Sequence, residues 1–460
     1  MDKREITKAY QSQKQYFNHQ TVASVPERIK LLKVLKQNIK QKEEDIIAAL
    51  DEDFKKPEFE TLTTELLVVY KEINLFIKNL KKWQKPERVS SDLINFPSSD
   101  KIFHVPWGNI LVISPWNYPF QLAITPLIGA IATGNTVILK PSEYAPKTAQ
   151  ILEILISEVF KPEVCQVIQG DAETADYLLD LKWDFVFFTG SVNVGKIVSQ
   201  KIAKNMTPHC LELGGKNPCI VDKTAKINTS VKRILWGKFL NAGQTCIAPD
   251  YLLVHENILN EFIESLQKNL HEFYGKDAKE SENYARIISQ KHFERLVGLL
   301  ENQNIISGGK YADNELFIEP TLVLNPDLES KLMKEEIFGP ILPIISYKNE
   351  EDLEKISLKN DKPLALYVFS ENRTFQDKMI QKYDFGGGVI NDTVVHFVND
   401  KLPFGGVGKS GVGNYHGKHS FNVFTRQKSV VNRKTYLDVP IKYPPYNKTV
   451  LFKKLLKFFR

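Results

Sequence analysis

One of the chain's four cysteines, Cys246, stands in a setting suited to covalent chemistry. It lies in Phe239-Leu-Asn-Ala-Gly-Gln-Thr-Cys246-Ile-Ala-Pro-Asp-Tyr251, after a helical run and beside small residues that let a ligand approach the sulfur. A free thiol with a pKa near ~8.5 is only a few per cent thiolate at neutral pH, so attack on a carbonyl carbon needs an activating environment. Taken alone, a cysteine is more often a packing residue. Glu212, in Leu211-Glu-Leu-Gly-Gly-Lys-Asn217, is a carboxylate between two leucines at a strand end, where desolvation should penalise its charge. It is either a functional acid or base, or half of a salt bridge to a nearby lysine. Asn117, in Ser114-Pro-Trp-Asn-Tyr-Pro119, lies in a proline-framed turn and on its own reads as turn chemistry.

Together these segments carry a family resemblance. Pro115-Trp-Asn-Tyr-Pro119, Lys140-Pro-Ser-Glu143, Phe188-Thr-Gly-Ser191 with Gly195, Leu211-Glu-Leu-Gly-Gly215, Gly243-Gln-Thr-Cys246, Glu336-Ile-Phe-Gly-Pro340 and Pro403-Phe-Gly-Gly406 follow one another in the order seen in aldehyde dehydrogenases. The chain resembles that superfamily from roughly residue 5 to residue 445, and Asn414-Tyr-His-Gly-Lys-His-Ser-Phe421 resembles the class 3 branch. Members of that branch are commonly dimers acting on medium-chain, long-chain or aromatic aldehydes.

The resemblance implies roles. Cys246 would attack the aldehyde, with the Asn117 amide and the Cys246 backbone N–H holding the oxyanion, and Glu212 would activate the water that cleaves the thioester. The cofactor-binding residues would be Trp116, Lys140, Glu143, Gly190, Ser191, Gly195, Glu336 and Phe338. Lys140 and Glu143 would reach the adenosine ribose, Glu336 the nicotinamide ribose, and Phe338 would pack near the nicotinamide ring. The cofactor would be NAD, with NADP possible, because Glu143 repels the extra phosphate of NADP. The expected reaction is oxidation of an aldehyde to a carboxylic acid. A coenzyme A-acylating dehydrogenase is the near alternative, and a catalytically silent binding or structural protein on the same fold is the distant one.

Elements must bring Glu212 and Cys246, far apart in sequence, to one place. Apolar residues at helical spacing through Ile29 to Leu50 and Leu62 to Leu80 predict an N-terminal helical layer, with the acidic and aromatic Asp51 to Glu60 between. Short β-rich runs follow at 110–113, 136–139, 164–168, 185–188 and 210–213, with amphipathic helices at 145–160 and 192–205. This pattern predicts βαβ units around a parallel sheet. A second set comprises strands at 218–221, 252–254, 341–345 and 364–369, and helices at 225–240 and 258–273. The expected fold is α/β and aldehyde dehydrogenase-like: two doubly wound α/β domains, one Rossmann-like, plus a small β oligomerisation arm. Residues 1–84 and 103–209 are assigned to cofactor binding and 210–403 to catalysis. Residues 85–102 and 420–440 form the arm, 404–419 a glycine-rich return and 441–460 a basic tail. No G-x-G-x-x-G follows the first strand. Instead Gly190-Ser-Val-Asn-Val-Gly195 follows the fourth, where Ser191 can cap a helix whose free N–H groups face a phosphate.

Other signals exclude. Gly406-Val-Gly-Lys-Ser410 would be a phosphate loop only with glycine at 403, which is Pro403. His209, His396, His416 and His419 lack metal-ligand spacing, and no metal is expected. The cysteines form no C-x-x-C pair and the charged N-terminus lacks an apolar signal core, so a cytoplasmic location is expected. The net charge of +6 is uneven: Arg426 to Arg460 hold ten basic residues and one acid, Asp438, leaving 51 basic and 54 acidic residues elsewhere. A slightly acidic body with a basic tail argues against nucleic acid as partner. In Leu451-Phe-Lys-Lys-Leu-Leu-Lys-Phe-Phe-Arg460, apolar and basic residues alternate at helical spacing. This is an amphipathic cationic helix suited to peripheral contact with the inner face of a membrane, or otherwise a frayed terminus or a segment packed on the body.

Overall fold

The computed structural model describes residues 2–19, 23–92, 95–356, 362–438, 443–446 and 449–458, with backbone only at 452, 455 and 458. The chain forms two units, Met1–Trp83 with Pro106–Arg426, and Gln84–Val105 with Gln427–Arg460.

The first unit holds two sheets. In one, the strands Asn109–Ile113, Thr136–Lys140, Cys165–Val167, Phe185–Gly190 and His209–Leu213 are parallel. They lie side by side in the order fifth, fourth, first, second, third, and Gly411–Val412 pairs antiparallel with the fifth. Ile110, Leu111 and Val112 are fully buried, as expected of strands covered on both faces. The order reverses between the first and fourth strands, so a crevice opens at their carboxyl ends. The other sheet has the order Ile305–Ser307, Thr321–Leu324, Ile341–Tyr347, Tyr251–His255, Pro218–Val221, Ala365–Phe369, Gly387–Ile390, and only Ile305–Ser307 runs against its neighbour.

The strands and helices read from periodicity recur within about two residues of their expected ends. The expected helix over 29–50 is broken at Lys42 into Val25–Gln41 and Glu43–Phe54, and Lys3–His19 is a further helix. The apolar stretch 122–132 is the helix Gln121–Thr133, buried all round, with Pro126 inside it. Among the described residues no helix is long and apolar enough to cross a membrane. In these two sheets the strands that periodicity missed, Ile305–Ser307, Thr321–Leu324, Gly387–Ile390 and Gly411–Val412, have two to four residues each, too few for alternation to show. The helix expected over 62–80 begins instead as a π-helical turn, Thr61–Leu66, before Leu67–Trp83.

The second unit is built on a sheet of order Glu87–Val89, Ser98–Pro106, Thr425–Arg433, with the outer strand Thr425–Arg433 exposed along nearly its whole length. Its last helix is Thr449–Phe458, where Val450, Leu451 and Leu456 are exposed. Phe459 and Arg460, part of the expected amphipathic segment, lie outside the described residues, as do positions 439–442 at the expected start of the tail.

Candidate active site

The residues singled out in the sequence come from the carboxyl ends of the first sheet and the amino ends of the second. Asn117 follows the strand Asn109–Ile113, Lys140 ends Thr136–Lys140, Gly190 ends Phe185–Gly190, and Glu212 lies within His209–Leu213. The Cys246 loop leads into Tyr251–His255, and Glu336 with Phe338 leads into Ile341–Tyr347.

The Cys246 loop is held by its backbone. Asn241, Ala242 and Gly243 are left-handed, with φ of 57°, 52° and 74°, a run that L-residues adopt only when their surroundings require it. Gly243 is obligatory, since a Cβ there would lie 2.3 Å from the Gly339 carbonyl oxygen. The Asn217 amide donates to the carbonyls of Cys246 (2.7 Å) and Ala248 (3.0 Å), and the Tyr367 hydroxyl donates to that of Ile247. The Asn117 amide donates to the Gln244 carbonyl at 3.0 Å, and the Asn241 amide donates to the Asn117 carbonyl at 2.8 Å. Tyr118 Oη lies 2.6 Å from Thr245 Oγ1. The two loops are thus joined through Asn241, Gln244 and Thr245, just before Cys246, and one Asn117 N–H remains beyond the bond to Gln244.

Cys246 is partly buried, while Cys165, Cys210 and Cys219 are fully buried. Desolvation first, then the charges of Glu336 and Glu212, push its thiol up to about 12, against the opposing effect of the N–H groups of Cys246 and Ile247. Glu212 is buried, and desolvation holds its carboxyl well above the usual carboxylate range. Cys210 Sγ donates to its Oε1 at 3.5 Å, while Oε2 is buried without a partner among the described residues. The salt-bridge alternative does not hold among the described residues, because Lys216 pairs with Asp250 at 2.5 Å.

The segment around Glu336 is clamped in the same manner. Lys216 Nζ donates to the carbonyls of Leu332 (2.8 Å) and Glu335 (3.0 Å), Asp250 Oδ1 accepts from the Ile337 N–H (2.9 Å), and Arg295 donates to the carbonyls of Glu336 (3.3 Å) and Ile337 (2.6 Å). Glu336 Oε1 accepts from Gly215 N–H at 3.1 Å, and a Cβ on Gly214 would collide with its carboxyl at 2.3 Å. Desolvation and the Asp250 charge push Glu336 to about 8. Phe338 meets Trp116 edge to face at 5.3 Å, and His292 lies 4.9 Å from Trp116. Lys140 is buried and pairs with Glu143 at 2.9 Å.

A dinucleotide fits the crevice. Ser114 Oγ and Thr189 Oγ1 are buried without partners at the carboxyl ends of the adjacent first and fourth strands. Ser191 caps the helix Val192–Ala203 by accepting from Val194 N–H (3.4 Å), leaving other N–H groups of that first turn for a ligand. A Cβ at Gly195 would meet the Leu213 side chain at 2.5 Å and one at Gly190 the Phe188 ring at 2.6 Å, so the chain passes close to both side chains there. Sequence reasoning missed Asn217, Gln244, Tyr367 and Arg295, and it read Asp51 to Glu60 only as a separator. Asn217 and Gln244 stood inside quoted motifs, but nothing in their spacing showed which carbonyls they would hold.

Residues 1–430 match the aldehyde dehydrogenase family. The chain is 46% identical to 4,4'-diaponeurosporen-aldehyde dehydrogenase of Staphylococcus aureus over 457 residues, covering 99% of each chain. It is 41% identical to an aldehyde dehydrogenase of Canis lupus familiaris described as dimeric and NADP-preferring, over 442 residues, 96% of this chain and 98% of that one. A solved structure of Staphylococcus aureus AldH in a substrate-bound state superposes with a TM-score of 0.96 at 45% identity, covering 99% of both chains. With the family match over residues 1–430, relatives above 40% identity across nearly the whole chain and the shared fold, the chain belongs to the aldehyde dehydrogenase family.

Proposed function

We propose that Cys246 is the nucleophile, Asn117 an oxyanion donor and Glu212 the hydrolytic base of an NAD(P)-dependent aldehyde oxidation. The observation that carries this reading is a partly open cysteine fixed beside a buried amide with an N–H to spare, with an unpaired carboxylate oxygen on the neighbouring sheet. The sulfur adds to the aldehyde carbon, and the carbonyl electron pair moves to oxygen, where the Asn117 N–H and the Cys246 N–H hold it. The thiol, raised by burial, gives its proton to Glu212, which passes it to solvent before the hydrolytic step. Bound NAD(P) would supply the acceptor for the hydride that leaves the carbon as the carbonyl re-forms, leaving a thioester on Cys246. Lys140, Glu143, Trp116, Glu336 and Phe338 would hold and orient that group, together with Gly190, Ser191 and Gly195. Glu212 then takes a proton from water, the hydroxide attacks the thioester carbon, and the C–S bond breaks to release the acid and the Cys246 sulfur.

The substrate class we favour is medium- or long-chain aliphatic or aromatic aldehydes, lipid- or carotenoid-derived, in keeping with the name of the Staphylococcus aureus relative. A homodimer through the arm is supported by the exposed outer strand Thr425–Arg433 with Val430 and Val431 on its surface, and by the dimeric canine relative. Contact of the helix Thr449–Phe458 with an anionic membrane is supported by its exposed apolar residues and lysines.

Appearance of reduced cofactor with a medium-chain aldehyde tests the chemistry. Cys246→Ala is expected to abolish it, whereas Glu212→Gln keeps an initial burst but slows acid release. Unimpaired steady-state turnover in Glu212→Gln would remove the base assignment, and a turnover that depends on added coenzyme A would favour the acylating alternative. The ratio of kcat/KM for NAD and NADP decides the cofactor preference. Co-sedimentation with anionic liposomes that is unchanged by deleting 447–460 would remove the membrane proposal.

A further inference from the structure

A buried charged cluster lies under both loops of the site. Lys56 and Glu65 have fully buried side chains paired at 2.8 Å, and Glu60 is also buried. Glu65 Oε2 accepts from Gln121 N–H at 2.6 Å, at the start of the helix that follows the Asn117 turn. The Lys56 ammonium sits 3.9 Å from the centre of the Tyr118 ring, and the Tyr118 hydroxyl reaches Thr245, the residue before Cys246. Glu60 Oε2 accepts from Asn241 N–H at 2.9 Å, the first residue of the left-handed run, and Asn241 bridges to the Asn117 carbonyl. The π-helical turn Thr61–Leu66 explains the geometry. In an α-helix residues five apart face different directions, whereas the wider i→i+5 turn brings Glu60 and Glu65 toward one face. Burying three ionisable groups is costly, and a fold retains such a cluster where it fixes a conformation. Desolvation pushes Glu60 to about 7 against the attraction of Lys56, consistent with a hydrogen-bonding role that does not depend on a full charge.

We propose that Lys56, Glu60 and Glu65 are positioning residues which lock the Asn117 turn to the Cys246 loop, so that the oxyanion donor and the nucleophile meet the same carbonyl. This rests on the roles assigned above to Asn117 and Cys246. None of the three touches the reacting atoms. Glu60 acts through Asn241, and the Lys56–Glu65 pair through Tyr118 and Gln121.

The test is the pre-steady-state burst of cofactor reduction in Glu60→Ala and Glu60→Gln, with thermal unfolding to confirm folding. Glu60→Ala removes the acceptor for Asn241 N–H and should slow the burst by on the order of 100-fold, with aldehyde KM and cofactor affinity changed by less than about threefold. Glu60→Gln keeps an acceptor oxygen and should restore the burst to within about threefold of the parent. A folded Glu60→Ala with an unchanged burst overturns the proposal, as does a Glu60→Gln that is as slow as Glu60→Ala. Should Glu60→Ala not fold, Tyr118→Phe breaks the other link and should slow the burst by about tenfold at unchanged KM, and an unaltered burst there overturns the proposal equally. The two readings fail separately: a burst that survives Cys246→Ala refutes the nucleophile, whereas an unaffected Glu60→Ala refutes only the positioning cluster.

Discussion

The loop around Cys246 and the helix Thr449–Phe458 acquire their shapes in opposite ways. The helix is specified by its own residues, apolar and basic positions recurring at helical spacing, and its described apolar side chains are exposed. The loop has no period. From Asn241 to Ala248 it is held by a few hydrogen bonds with partners 29 to 181 positions away, including Asn217, Tyr367, Asn117 and Glu60. A periodic element distributes its stability over many residues, so the loss of one matters little. A loop held by single partners concentrates the penalty in each.

That contrast can be broken or sharpened by measurement. The largest effect is expected from Lys56→Met, which leaves Glu65 buried without its cation and should cost about 3–5 kcal/mol in denaturant unfolding. A cost comparable to that of a surface substitution would mean that the loop's foundation is not electrostatic. Asn117→Ala should lower kcat by about 100- to 1,000-fold, since it removes an oxyanion donor and also the bond to Gln244. A loss confined to KM would reassign Asn117 to substrate binding. Next in size is the thiol. Raised to about 12, Cys246 should react with iodoacetamide at neutral pH at least about tenfold more slowly than free cysteine, the rate rising with pH as thiolate forms. Peptide mapping will identify the site, because the other three cysteines are buried. Rapid alkylation at pH 7 would show that the loop already activates its sulfur without cofactor. The smallest effect on the fold belongs to the tail. Replacing Lys453, Lys454 and Lys457 by Gln should move Tm by less than about 2 °C, while weakening binding to anionic vesicles by about 1 kcal/mol per lysine near the surface. A large fall in Tm would mean that the tail is part of the packed structure.

The sequence made much of the fold legible where a period could express itself. Ile110 to Ile113 and Phe185 to Phe188 are continuous apolar runs because strands covered on both faces exclude polar residues. Lys3–His19 falls within the N-terminal helical layer, but its own apolar period is faint because only Ile6, Tyr10 and Gln13 of it are buried. In the site, Cys246, Glu212 and Asn117 could be singled out by residue type and motif. Lys56, Glu60 and Glu65 could not, because a lysine and a glutamate in a link between helices and a glutamate within a helix normally face solvent, and only the π-helical turn Thr61–Leu66 brings the two glutamates toward one face. Gly214 and Gly243 stood in motifs, but the reason each must be glycine, the Glu336 carboxyl at one and the Gly339 carbonyl at the other, is a contact between segments distant in sequence.

By itself, then, the sequence determined the elements, the family and the residue types available for chemistry, because local periodicity and short motifs are written in neighbouring positions. Tertiary structure alone decided that Glu212 carries an unpaired buried oxygen among the described residues, that Asn117 shares the Gln244 carbonyl with Asn241, and that burial with the charges of Glu336 and Glu212 raises the Cys246 thiol. Each of these depends on desolvation and on hydrogen-bond partners brought from other elements, which no stretch of sequence records.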